Sequence, residues 1–181
     1  EHMEPKVWRW CYLEYKHISS IVGRKNLWFT NIRNGAEKLK KLGRVFRQSA
    51  AEMKLENPVI LDAAANKTLM PKEARKFSHF VFGGILGDYP PRGRTMELRI
   101  KMQGVEARNL GKKQMSTDTA VLVVHTILSG MPLNKIRFTN HIDVDIRKGE
   151  SVTLPYRYVL KDGSPVLAPG LIDMLRCQKG F

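Results

Sequence analysis

The apolar positions change their period several times along the chain, and each change marks an element. Val7, Trp8, Cys11, Tyr15, Ile18 and Val22 recur at near-helical spacing between Pro5 and Gly23, a start and a stop that suit a first amphipathic helix. Residues 27–32 then read as a strand, 35–42 as a short basic helix and 59–62 as a buried strand. A helix over 71–76 leads to a strand at 79–83, followed by a helix over 95–102 and a short strand at 106–109. Ala120, Val121, Val123, Val124, Ile127 and Leu128 give 119–129 the pattern of a largely buried helix. Such alternation predicts an α/β fold, a mostly parallel sheet flanked by helices on both faces.

Beyond Gly130 the rhythm shifts to strands at 135–138, 151–160 and 165–167, with Asp162-Gly163 as a hairpin turn and a closing helix from 169 to about 176. This reads as a small β-hairpin annex, about 135–168, on one domain spanning 1–181. The chain has no internal repeats and no low-complexity stretch.

Two loops carry the candidate chemistry. The strand at 79–83 runs into Gly83-Gly84-Ile85-Leu86-Gly87-Asp88 and then Pro90-Pro91, so the backbone is permissive first and stiff afterwards. The second is Leu110-Gly111-Lys112-Lys113-Gln114-Met115. Ser116, Thr117 and Asp118 follow it as N-cap candidates, and the first amides of their helix are expected to be free for a ligand. Taken singly, each loop is also compatible with a plain tight connection and an ordinary capped helix. As a pair beyond the carboxyl ends of parallel strands, where Asp62, Gly83 and Leu110 all fall, they mark the place where α/β sheets bind ligands.

Two nucleotide motifs are excluded by spacing. A phosphate loop of the Walker type needs a glycine where Glu106 stands and a Ser or Thr where Lys113 stands. The dinucleotide fingerprint needs a glycine in place of Phe82. Cys11 and Cys177 are far apart, and the five histidines form no ligand arrangement, so no metal is expected and the histidines read as structural. No apolar run approaches the roughly 20 residues of a membrane span, and no signal-peptide pattern opens the chain, which makes a cytoplasmic location the default.

Charge narrows the partners. Lys and Arg number 31 against 17 Asp and Glu, a formal net charge of +14. The basic residues gather at Lys38, Lys40, Lys41, Arg44 and Arg47, and again at Arg94, Arg99, Lys101, Arg108 and Lys112. Such a surface attracts RNA or a ribosomal particle, although a solvated basic face has the same composition.

The stretches 80–91 and 110–119, the opening Glu1-His2-Met3-Glu4, the Leu13-Glu14-Tyr15 run and the late Leu154-Pro155-Tyr156-Arg157-Tyr158-Val159-Leu160 together resemble one branch of the SPOUT methyltransferases. That branch holds an arginine methyltransferase acting on a ribosomal protein and archaeal predicted RNA methyltransferases. The resemblance implies a C-terminal trefoil knot, an exception to the rule against threaded chains, and S-adenosylmethionine as cofactor. It places Gly83, Gly84, Leu86, Gly87, Asp88, Leu110, Gly111, Gln114, Met115, Ser116 and Thr117 at that cofactor, and Asp62 joins them as a cofactor-binding candidate by its place at a strand's carboxyl end. It also implies a first central strand before Glu1, and it favours a monomer over a knot-mediated homodimer. Where many RNA-modifying branches carry Ser-Leu-Asn, this chain has Met115-Ser116-Thr117-Asp118, so their substrates do not transfer.

Methyl transfer from a sulfonium asks mainly that a nucleophile be held in line. An arginine acceptor must also be oriented by carboxylates and lose a proton. Asp88, Asp118, Glu1 and Glu4 are the candidate catalytic acids, each of them equally suited to a turn or cap. Arg92 and Arg94, just past the first loop, are the candidate substrate contacts, suited to an RNA phosphate, and equally open to the cofactor carboxylate or to plain surface solvation. Methylation of a ribosomal-protein arginine is the favoured function. Methylation of an rRNA or tRNA base or ribose is the alternative, and a non-catalytic RNA- or ribosome-binding protein is the third reading.

Overall fold

A computed structural model describes residues 1–83 and 94–177. Gly84, Leu86, Gly87, Asp88 and Arg92 therefore lie outside the described residues. The first helix, α1, runs Arg9–Val22, starting later than Pro5 suggests. Strand β1 is Trp28–Phe29, α2 is Ala36–Leu39 and β2 is Arg44–Val45. Strand β2 pairs in parallel with β1 and was not legible, because two residues inside a basic stretch carry no periodic signal.

The central sheet is the predicted parallel one. It has β3 (Pro58–Leu61) in the middle, β4 (His79–Val81) on one side and β5 (Glu106–Arg108) on the other. In the registers Val59 faces Phe80 and Glu106, and Ile60 faces Val81 and Ala107. Helices α3 (Pro71–Ala74) and α4 (Arg94–Lys101) make the crossovers, and α5 follows as Thr117–Leu128. The alternation of β3 shows why both faces are covered. Val59 and Leu61 pack with Val123, Val124 and Ile127 of α5, whereas Ile60 packs with Leu98 of α4 and Met102. A strand buried on both sides needs the continuous apolar run that Val59-Ile60-Leu61 supplies.

Helices α1 and α5 pack together through Ile18, Tyr15 and Val121, with Phe29 and Ile32 beside them. Between β1 and β4 lies a cavity of about 650 Å³ whose apolar walls include Tyr15, Ile18, Val121 and Val124. Glu1 N–H donates to Phe82 O at 2.9 Å and His2 N–H to Thr30 O at 3.0 Å. Residues 1–2 thus tie the two parallel sheets together at one end of this cavity.

The C-terminal third departs from expectation. Residues 133–135 form a 3₁₀ turn, and β6 is Phe138–Thr139. The single strand expected over 151–160 is two: β8 (Glu150–Leu154) and β9 (Tyr158–Lys161). Pro155 separates them, since proline cannot donate to a ladder. Strand β8 pairs antiparallel with β7 (Ile142–Arg147). The signal for β7 was present, because Ile142, Val144 and Ile146 alternate with Asp143, Asp145 and Arg147 ahead of Lys148-Gly149. Strand β9 pairs with β6 and with β10 (Ser164–Pro165). The turn between β9 and β10 holds Asp162 at φ 52° and Gly163 at φ 79°, the pair of positive angles that a two-residue hairpin of this sequence favours. Helix α6, Leu171–Cys177, closes a core of Leu154, Tyr158 and Met174.

Candidate functional site

The site is built from the carboxyl ends of β3, β4 and β5. Asp62 leaves β3 with its carboxylate engaged, one oxygen accepting from Ala64 N–H at 2.9 Å and the other from Arg99 at 3.0 Å. Gly83 leaves β4, and its carbonyl oxygen lies 3.5 Å from Thr117 Oγ1 at the start of α5. The first residue of the glycine-rich stretch therefore touches the first turn of α5. Asn109 shapes the second loop from inside. Its amide donates to Ala65 O at 2.8 Å, while its Oδ1 accepts from Gly111 N–H and Thr68 Oγ1, both at 3.0 Å.

Leu110 is buried in the core beneath α5, with Met115 packed beside it. Gly111 has φ 93°, and a β-carbon there would stand 3.0 Å from Arg157 Nη1. The backbone angle favours glycine, and a side chain there would also crowd the end of Arg157. Arg157 belongs to the segment entering β9. Its N–H donates to Gln114 O at 2.8 Å, and it bridges Met115 in parallel. This fastens the far end of the chain to the second loop.

At the N-terminus of α5 the carboxyl of Glu14, on α1, lies near the backbone N–H groups of Thr117 and Asp118. The same carboxyl accepts from Trp10 Nε1 at 2.7 Å, one helical turn back on α1. Burial first, and the charge of Asp118 second, push the Glu14 carboxyl up to about 8. Ser116 is the N-cap by position, yet its hydroxyl bonds Thr119 Oγ1 at 2.8 Å instead of an amide. Asp118 is 2% exposed. Its Oδ1 accepts from Thr119 N–H at 2.9 Å, and its Oδ2 lies 2.7 Å from His17 Nδ1. Tyr158 OH is buried without a hydrogen-bond partner among the described residues, and burial together with Glu14 and Asp118 holds its pKa well above that of a free phenol.

The remaining sequence candidates are spread more widely. Glu1 is beside the end of β4 through its amino group on Phe82 O, while its carboxylate accepts from Thr30 Oγ1 at 2.7 Å, Ser49 Oγ at 2.7 Å and Ala50 N–H at 2.9 Å. It fastens the turn at Ser49 and Ala50 to the end of β1. Glu4 is half-buried near His2. Arg94 is the first residue of α4. Among the described residues no cluster of His, Cys, Asp and Glu could hold a metal. Sequence reasoning missed Trp10, Glu14, His17, Phe138, Arg157 and Tyr158. Only Trp10 and Glu14 left a local trace, four residues apart on one helical face.

A parallel sheet covered on both faces, with the residue that leaves β4 touching the start of α5, is the α/β arrangement in which ligands gather past the strand ends. Its particular kind follows from kinship: the chain belongs to the SFM1-like family of protein arginine N-methyltransferases, whose model matches residues 1–180. It is 35% identical over 198 aligned positions to protein arginine N-methyltransferase SFM1 of Saccharomyces cerevisiae, covering 97% of this chain and 92% of the relative. The crystal structure of the yeast enzyme complexed with SAH superposes with a TM-score of 0.88 at 34% identity, covering 96% of this chain and 92% of that one. The complex with SAM gives 0.89 at 35% identity, covering 97% and 88%. The complex with MTA gives 0.84 at 32% identity, covering 96% of both. No helix among the described residues is long and apolar enough to cross a membrane.

Proposed function

We propose that this chain transfers a methyl group from S-adenosylmethionine to an arginine of a ribosomal protein. The observation that carries the reading is the junction of Gly83 with Thr117, in a fold shared with an arginine methyltransferase solved with SAM. The residues present fit the cofactor: the second loop has a glycine where a side chain would fill the space, and a cation faces it without a carboxylate among the described residues. Gly83, Leu110, Gly111, Gln114, Met115, Ser116 and Thr117 would hold it, joined by Gly84, Leu86, Gly87 and Asp88 of the first loop. Asp62 would support them from the end of β3. The C-terminal trefoil knot belongs to the same reading, supported by the parallel bridge of Met115 with Arg157.

S-adenosylmethionine supplies a methyl group already activated by its sulfonium. The chain's own work is to orient the acceptor, exclude water and accept a proton. A guanidinium is a poor nucleophile until it loses a proton, because its free pKa exceeds about 12. Asp88, Asp118 and Glu4 are the acids proposed to face it. Asp118 can hand the proton on, since His17 is at 2.7 Å and part of its side chain reaches the surface. Glu1, saturated by three donors, braces the turn at Ala50. Arg92 and Arg94 are the proposed substrate contacts, and the charge of +14 draws the chain to the ribosomal particle, as a cytoplasmic monomer.

The test is incubation with methyl-labelled S-adenosylmethionine and salt-washed ribosomes, followed by protease or nuclease. Label released by protease and resistant to nuclease is expected. Label released by nuclease would make the chain an RNA methyltransferase, and no incorporation at all would return it to a binding protein.

A further inference from the structure

Two arginines are drawn inward near the carboxyl ends of the central strands, and they differ in one respect. Arg108, 3% exposed, ends β5 between the carboxylates of Glu73 and Glu106 and lies over the Phe77 ring. Its charge is matched twice. Arg157 is stacked on Phe138 at 3.8 Å from the ring centroid, and its buried Nε has no acceptor among the described residues. Among the described residues no carboxylate pairs with it, and burial alone lowers its pKa. A guanidinium taken from water without a counter-charge is costly.

Arg157 is nonetheless held firmly. Its backbone N–H is bound to Gln114 O and it bridges Met115, while the Phe138 ring fixes the guanidinium plane. Its Nη1 lies against Gly111, close enough that a β-carbon there would touch it. A positioned, partly desolvated cation at the wall of a ligand loop suits an anion brought by the ligand. S-adenosylmethionine has one anionic group, the α-carboxylate of its amino-acid end. Its sulfonium and ammonium would be repelled.

We infer that Arg157 receives the carboxylate of the cofactor, with Gly111 kept bare so that the guanidinium can reach it. The inference rests on the methyltransferase reading above and assigns the amino-acid end of the cofactor to the β9 side of the site. Arg157 is thus a binding residue that discriminates S-adenosyl amino acids from the bare thionucleoside.

Calorimetric titration of the whole chain with SAM, SAH and methylthioadenosine tests this, because methylthioadenosine keeps the nucleoside and sulfur and lacks the amino acid. Arg157→Ala is expected to weaken SAM and SAH by about 10- to 100-fold, the scale of a charge-assisted hydrogen bond. Methylthioadenosine should change by less than about threefold, since it offers no anion to the arginine. If Arg157→Ala does not fold, Arg157→Lys, which keeps the charge and loses the planar fork, must show the same selectivity at smaller amplitude. Equal weakening of all three compounds would overturn the assignment and leave Arg157 a structural residue. A wild-type chain that bound none of them would sink the methyltransferase reading itself, an outcome distinct from that one.

Discussion

The two ends of the second loop hold opposite charges in opposite states. At the Thr117 end, Glu14 and Asp118 are buried together, Glu14 bonded to Trp10 and Asp118 to His17 and Thr119. At the Gly111 end, Arg157 has a ring to lie on and no anion among the described residues. Completed polar networks stabilise and orient a fold, while an uncompleted one marks where a ligand finishes the pairing. The site is thereby polarised, positive where an amino-acid carboxylate would enter and negative toward the helix whose acid is assigned to the acceptor.

The largest effect should come from the acidic end. Asp118→Asn is expected to lower the methylation rate by about 100-fold or more, the scale of a lost general base, with little change in SAM affinity by calorimetry. An equal loss of affinity would make Asp118 a scaffold for the loop. Next is Gly111→Val, which forces a β-branched residue to φ 93° and against Arg157 Nη1. SAM binding should weaken by about tenfold or more, and the fold should lose about 1–3 kcal/mol in urea unfolding. Destabilisation with intact binding would reduce the loop to a plain turn.

How much of this polarity was legible varies with the range of the contacts. The parallel sheet follows from local runs such as Val59-Ile60-Leu61. The acidic end did not follow, because Glu14 and Asp118 are far apart in the chain and meet only when α1 packs on α5. Arg157 was read as part of one long strand, although Pro155 argues for a break. Its partner Phe138 comes from a separate strand, a pairing that no periodicity announces. The alternation at Ile142, Val144 and Ile146 was readable and went unread, overshadowed by the acids between.

Smaller effects sharpen the acidic end further. The Glu14 carboxyl is raised from an ordinary 4.5 to about 8 in the folded chain, so between those pH values the folded state binds more protons than the unfolded one. Stability must fall as pH rises through that window and level off above it. Glu14→Gln should abolish this slope, a difference on the order of a few kcal/mol between pH 5 and 8.5 in urea titrations. A slope retained in the variant would place the proton on another group. The least change is expected from Tyr158→Phe, which removes a buried hydroxyl that has no hydrogen-bond partner among the described residues and should be neutral or stabilising by up to about 1 kcal/mol in thermal unfolding. A large loss would show that the hydroxyl serves the two acids.

The most direct measurement identifies the methylated atom. Ribosomal protein labelled by this chain and methyl-tritiated S-adenosylmethionine, hydrolysed to amino acids and resolved by chromatography with mass spectrometry, should carry its label as N-methylarginine. Label in lysine, in another residue or in a nucleoside would contradict the account.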